Sequence, residues 1–131
     1  MYRDMSFKIL SSQNKLNGTI VVALDEIHSV SDNVQDKAFD SILSKSIESK
    51  GMLNPILICT DSDFKETNIR DFERRPVPDT ITEKYRCLIG NNRYRYAKEN
   101  NYTHIECFLA HTYEEVKKAH LITQIEPRKM L

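Results

Sequence analysis

The stretch LIGNNRYRYAKENNY (88–102) joins an apolar run to a helix-like run through Gly90, with Asn91, Asn92, Arg93 and Arg95 close behind. A strand that turns at a glycine into a helix aims the first N–H groups and the positive dipole end outward. An arginine in that turn adds a planar, permanently charged fork of donors suited to phosphate. These residue types at this spacing offer anion binding. Arg93 and Arg95, in the turn after Gly90, are the candidate anion-binding residues, and Arg86, on the preceding strand, is expected to matter less for binding.

The surrounding charge agrees. Formal net charge is zero over the 131 residues, yet residues 70–98 carry eight Lys or Arg against four acids. A neutral chain with one basic stretch points to a local anion partner more than to a general coat for DNA. A solvated charged face accounts for the same excess on charge alone, so both stay open. Nucleic-acid binding here would be weak, non-specific and steeply salt-dependent.

Other chemistries find less. Cys59, Cys87 and Cys107 each fall inside an apolar, strand-like run and form no CxxC pair, so they read as buried free thiols. The four histidines lack helical ligand spacing, and no structural metal is expected. No carboxylate cluster for two-metal chemistry is visible. Asp25 and Glu26 are the obvious candidates for an acidic base, and a structural role is the favoured reading of them. No window approaches the about 18–20 apolar residues of a membrane span. The N-terminal MYRDMSFKIL lacks the apolar run of a signal peptide, so a cytoplasmic location is the default expectation.

Positioning these residues requires a scaffold, and the pattern supplies one. GTIVVALDEI (18–27) reads as a strand. Phe39, Ile42, Leu43 and Ile47 recur on one face of a predicted helix that Gly51 stops. NPILICT (54–60) is a short buried strand, and residues 60–84 read as a long polar insertion, an exposed excursion or small hairpin. KYRCLIG (84–90) is a strand, 91–100 a helix and HIECFLA (104–110) a strand. A final helix follows, with Thr112 and Glu115 spaced as a capping box. The expectation is a single α+β domain over 1–131, core about 18–126, with one small mixed sheet packed against helices.

The stretches AFDSILSKSIESKGMLNPILI and KYRCLIGNNRYRYAKENNYTHIECFLA, in this order, resemble the N-terminal domain of ParB-type chromosome-partitioning proteins, within the ParB/sulfiredoxin fold. Ser46, Ile47, Gly51, Asn54, Pro55 and Ile56 match the first family signature. Gly90, Arg93, Arg95 and Ala97 match the second, a G-x-x-R-x-R-A box. The resemblance implies a nucleoside triphosphate site (CTP or ATP, with Mg2+). Phosphates would face Gly90, Asn91, Asn92, Arg93, Arg95 and Gln124, and the base side would meet Met52, Leu53, Asn54 and Pro55. The chain departs from the pattern in two places. The box reads G-N-N-R where the family commonly has G-E-R-R. The later E-N-x-Q-R stretch has its counterpart in TQIEPR, where Thr123 and Gln124 replace the acid and the amide.

Sulfiredoxins place a catalytic cysteine at the position of Asn91. Asparagine carries no nucleophilic thiolate, so that reductase chemistry is excluded. Full-length partitioning proteins continue into a helix-turn-helix region, and none follows within this sequence, so specific DNA reading is not expected. Stand-alone units of this kind are typical of phage and mobile-element genomes. Three readings follow: a nucleotide- or phosphate-binding switch or accessory factor; an NTP-dependent enzyme of the fold, kinase or nuclease-like; and a partner-binding protein that has lost the nucleotide site and uses residues 60–84 as its contact surface.

Overall fold

The computed structural model describes residues 7–13, 18–30, 45, 52, 54–73 and 76–129, with side chains as far as residue 121 in the last helix. The predicted helix around Phe39, Ile42, Leu43 and Ile47, with its Gly51 stop, lies outside these residues, apart from position 45. Six strands form one mixed sheet: β1 (Ile9–Leu10), β2 (Thr19–Ala23), β3 (Ile27–His28), β4 (Ile56–Thr60), β5 (Tyr85–Ile89) and β6 (His104–Leu109). Their order is β1-β6-β4-β5-β3, and β2 also pairs with β6. Pairing is parallel for β1 with β6, β4 with β6 and β3 with β5, and antiparallel for β2 with β6 and β4 with β5.

Period-two alternation divides the sheet into two apolar faces. Ile56, Ile58, Tyr85, Cys87, Ile105 and Cys107 pack with Tyr94, Tyr96 and Ala97 of α2 (Asn91–Glu99). On the other face Leu57, Cys59 and Leu88 meet Phe64 of α1 (Asp61–Glu66), Ile69 of a 3-10 turn, and Val116 and Ala119 of α3 (Tyr113–Lys129). Helices therefore cover the sheet on both sides, as expected for an α+β sandwich. All three cysteines are buried. Burial pushes the Cys59 thiol up to about 12 and raises that of Cys107 as well, which keeps both protonated and inert.

Two sequence expectations are corrected. The sheet begins at Ile9, ahead of the predicted start at 18. The first half of the 60–84 segment is no exposed excursion either. Thr60 caps α1 by accepting from the Asp63 amide at 3.0 Å, Thr67 starts a 3-10 turn, and both Phe64 and Ile69 are buried. These two large apolar side chains join Val116 and Ala119 in covering one face of the sheet.

Candidate functional site

Strand β5 leaves the sheet at Gly90, whose φ of 104° lies in the left-handed region. A side chain here would place its Cβ 2.6 Å from Ile56 Cγ2 and 2.9 Å from Ile56 Cβ. Both the dihedral and the contact demand glycine. The missing side chain lets the start of α2 lie against the start of β4. Tyr94 N donates to the Gly90 carbonyl at 2.9 Å, and no side chain caps the first turn. The earlier amides of that turn keep their outward orientation and the positive end of the dipole.

Arg93 closes this corner. Its Nη1 donates to the Asn54 carbonyl at 2.8 Å across 39 residues of sequence. Its Nη2 lies 3.3 Å from where a Gly90 Cβ would stand. Burial lowers the Arg93 pKa from its ordinary value, although a guanidinium stays protonated in proteins. This partner is a neutral carbonyl, and among the described residues no carboxylate pairs with Arg93 to cancel its charge.

The other predicted residues are distributed around this corner. Asn91 Oδ1 accepts from the Ser29 hydroxyl and, at 3.1 Å, from the Val30 amide, so this side chain tethers the segment after β3. Asn92 is exposed in the first turn of α2. Arg95 stands two residues from Arg93, about 200° around the helix, and does not share its site. It borders a cleft of about 230 Å³ with His28, Ser29, Glu83, Tyr94 and Lys98. Met52, Asn54 and Pro55 are buried, and the Met52 carbonyl accepts from Gln13 N at 2.7 Å. The turn therefore presents backbone, not the Met52 side chain, toward Arg93. Leu53 and the side chain of Gln124 lie outside the described residues. Asp25 and Glu26 are exposed in the 3-10 turn after β2. Asp25 lines a cleft with Lys98 and Asn101, at the opposite end of α2 from Gly90.

The basic excess of residues 70–98 does not gather on one surface. Arg86 is buried on the far face of the sheet against Asp61, Arg70 lies 3.8 Å from Asp79, and Arg93 stands apart from Arg95 and Lys98, which border one cleft. Arg74 and Arg75 lie outside the described residues. Among those described there is also no group of three His, Cys, Asp or Glu able to hold a metal ion.

Tyr94 went unnoticed in the sequence. Its buried hydroxyl donates to the Leu24 and Ile27 carbonyls at 2.9 and 3.1 Å, locking α2 onto the 3-10 turn. Burial first, then the charges of Glu83 and Asp25, push its pKa up to about 12. The box itself, N-N-R-Y-R-Y-A, held a weak signal: Tyr94 and Ala97 are spaced i, i+3 on one helix face.

No protein-family model and no curated protein sequence matches the chain. Solved structures that resemble it include the following two. One is the C-terminally truncated chromosome-partitioning protein ParB from Caulobacter crescentus complexed with CTP-gamma-S. It is 21% identical with a TM-score of 0.51, over 84% of this chain and 54% of that one. The other is sulfiredoxin from Arabidopsis thaliana, 17% identical with a TM-score of 0.49, over 79% of this chain and 96% of that one. The chain spans about half the length of the partitioning protein it resembles.

Proposed function

We propose, from the ParB/sulfiredoxin fold that this chain has, that the corner at Gly90 is a nucleotide- or phosphate-binding site and that the protein acts as a switch or accessory factor. The observation that carries this reading is the Arg93–Asn54 contact over a glycine that excludes any side chain. It joins the phosphate box to the turn that the resemblance assigns to the base, and it leaves a cationic fork beside uncapped helix amides. The CTP analogue bound by the partitioning protein supports the ligand class.

Phosphates dominate in this reading. Met52 and Pro55 are buried in the fold, so the base meets mostly backbone and discrimination among bases is small. Magnesium arrives on the triphosphate, held by its oxygens and water, since the ion readily keeps such ligands. The residues that act are Arg93, which orients the phosphate, the first amides of α2, and Gly90, which lets that helix start against β4.

Thermal unfolding with millimolar magnesium and CTP, ATP, GTP or inorganic triphosphate tests this. A ligand at a hundred times its Kd stabilises by about 2.7 kcal/mol, enough to raise the Tm by several degrees. All four ligands should shift the wild type, and Arg93→Ala should bind at least about tenfold more weakly, the worth of one charged hydrogen bond. Arg93→Lys should rescue only part, because a point charge does not replace a fork. No shift of the wild type with any of the four would remove the reading.

A further inference from the structure

The cleft at the other end of α2 has a volume of about 560 Å³. That falls within the about 300–1,000 Å³ of small-molecule sites. The cleft beside Arg95, at about 230 Å³, falls below that range. Its frame is tied together at the backbone. Thr103 Oγ1 accepts from Lys8 N at 2.8 Å and donates to the Lys8 carbonyl at 3.1 Å, while the Thr103 carbonyl accepts from Leu24 N at 2.9 Å. The helix closes with Tyr102 N donating to Ala97 O at 3.0 Å and Asn101 N to Lys98 O at 3.3 Å, with Asn101 at φ 64°. The segments bearing Lys8, Asp25 and Lys98 are thereby held around one opening.

The side chains there are chemically mixed. Lys8 Nζ stands 4.3 Å over the Tyr102 ring and 3.4 Å from the Asn100 carbonyl, and Lys98 is the second ammonium. Each offers three rotatable donors on a flexible stem, which suits a phosphate seen as a point charge. Asp25 is acceptor-only and suits hydroxyl donors, and the Asn101 amide can both donate and accept. Leu24 and Tyr102 supply an apolar wall. A plain anion would leave Asp25 opposing it, and a continuous nucleic-acid backbone would meet the same repulsion along its length. A ligand that carries both a phosphate and hydroxyls satisfies every group.

We propose that this cleft binds a phosphorylated sugar, with Lys8 and Lys98 on the phosphate and Asp25 and Asn101 on the hydroxyls. The same moiety occurs free or within a nucleoside monophosphate. The site stands apart from the Gly90 corner and shares none of its residues.

Calorimetric titration of the whole chain tests it with ribose 5-phosphate, AMP, inorganic phosphate and ribose, on wild type and on Lys98→Ala, Asp25→Ala and Arg93→Ala. Lys98 and Asp25 are exposed, so neither change should disturb folding. Ribose 5-phosphate should bind about tenfold or more tightly than inorganic phosphate, and Lys98→Ala should weaken it about tenfold. Asp25→Ala should erase the preference over inorganic phosphate, and Arg93→Ala should leave both that preference and its dependence on Lys98 in place. AMP binding that Lys98→Ala also weakens supports the site with a nucleotide as source; rejection of AMP supports it with a free sugar phosphate. The proposal is overturned if ribose 5-phosphate does not bind at millimolar concentration or binds no better than phosphate. It is equally overturned if the two cleft variants behave as wild type, or if Arg93→Ala alone removes binding, which would place the ligand at Gly90.

Discussion

Arg86 and Arg93 are seven residues apart in sequence and occupy opposite faces of one sheet, with opposite electrostatic outcomes. Arg86 is 3% exposed, donates from Nε to Asp61 Oδ1 at 2.7 Å, and stacks its guanidinium 4.3 Å over the Phe64 ring. Its charge is cancelled within the fold. Arg93 is half-buried and donates to a neutral carbonyl, so its charge remains available to a ligand. Burial alone does not separate a structural arginine from a binding one. The charge of the partner does.

The sharpest way to break this comparison is to remove Arg86. Taking one partner from a buried ion pair costs about 3–5 kcal/mol. Asp61 keeps a side-chain exposure of 24%, which places the expected loss at the lower end. Urea unfolding of Arg86→Ala should show that loss, with no specific effect on ligand affinity in whatever fraction stays folded. Sequence reasoning expected the loss of Arg86 to matter less than that of Arg93 for binding. The ion pair to Asp61 makes the opposite order the expectation for stability. A neutral Arg86→Ala would mean that the far face is held by Phe64 and Ile69 alone.

Next comes the glycine that makes the Arg93 site. Gly90→Ala must adopt a left-handed dihedral, at about 1–2 kcal/mol. It must also push Ile56 aside, at about 1–3 kcal/mol for an overpacked contact. A total of about 2–5 kcal/mol is expected by chemical denaturation. Measured within an Ile56→Ala background, Gly90→Ala should cost only the dihedral part, so an undiminished cost there would show that strain, not contact, dominates.

Arg93→Ala should cost less, about 1–2 kcal/mol, because it leaves a neutral acceptor without its donor and no unpaired charge. Its larger effect should fall on ligand binding. If Arg93→Ala destabilises as strongly as Arg86→Ala, the guanidinium is a clamp between the two boxes, and the contrast between the faces collapses.

How far the sequence foretold these two regions follows the range of the interactions that build them. Strands at 54–60, 84–90 and 104–110 and helices at 91–100 and from 112 were legible because apolar alternation and helix period are local signals. The observed elements end within about two residues of the predicted ones. The capping box was legible too: Thr112 Oγ1 accepts from Glu115 N at 3.1 Å, although Glu115 reaches back to His111 N, one residue further. Strands β1 and β3 were not read, since two-residue strands exist only through their partners on β6 and β5. The helix within 60–84 was hidden by its polarity, though Thr60 followed by Asp63 was a usable N-cap cue. At the site, Gly90 and Arg93 are local and were readable. The Asn54 contact is tertiary and was not, whereas the divergence of Arg95 follows from i, i+2 spacing as soon as the segment is a helix.

The smallest expected effect probes the far face through pH. Desolvation pushes the Asp61 carboxyl upward, but hydrogen bonds from Arg86 and Lys65, with their charges, outweigh it and hold the group below its ordinary value. A carboxyl whose folded pKa is depressed releases its proton more readily in the native state. Its contribution to stability is therefore complete above the unfolded pKa of about 3.9 and is lost as pH falls through the folded value. Asp61→Asn removes the titration while keeping the shape. The wild type should exceed this variant by a constant margin from neutral pH down to about pH 4, and the margin should shrink below that. Urea midpoints at a series of pH values read the difference directly. No equivalent acid sensitivity should appear on the Arg93 side, where the partner is a carbonyl that does not titrate. A margin that stays constant into strong acid would show that Asp61 is not the group that cancels Arg86, and the contrast between the two arginines would have to rest on Phe64 instead.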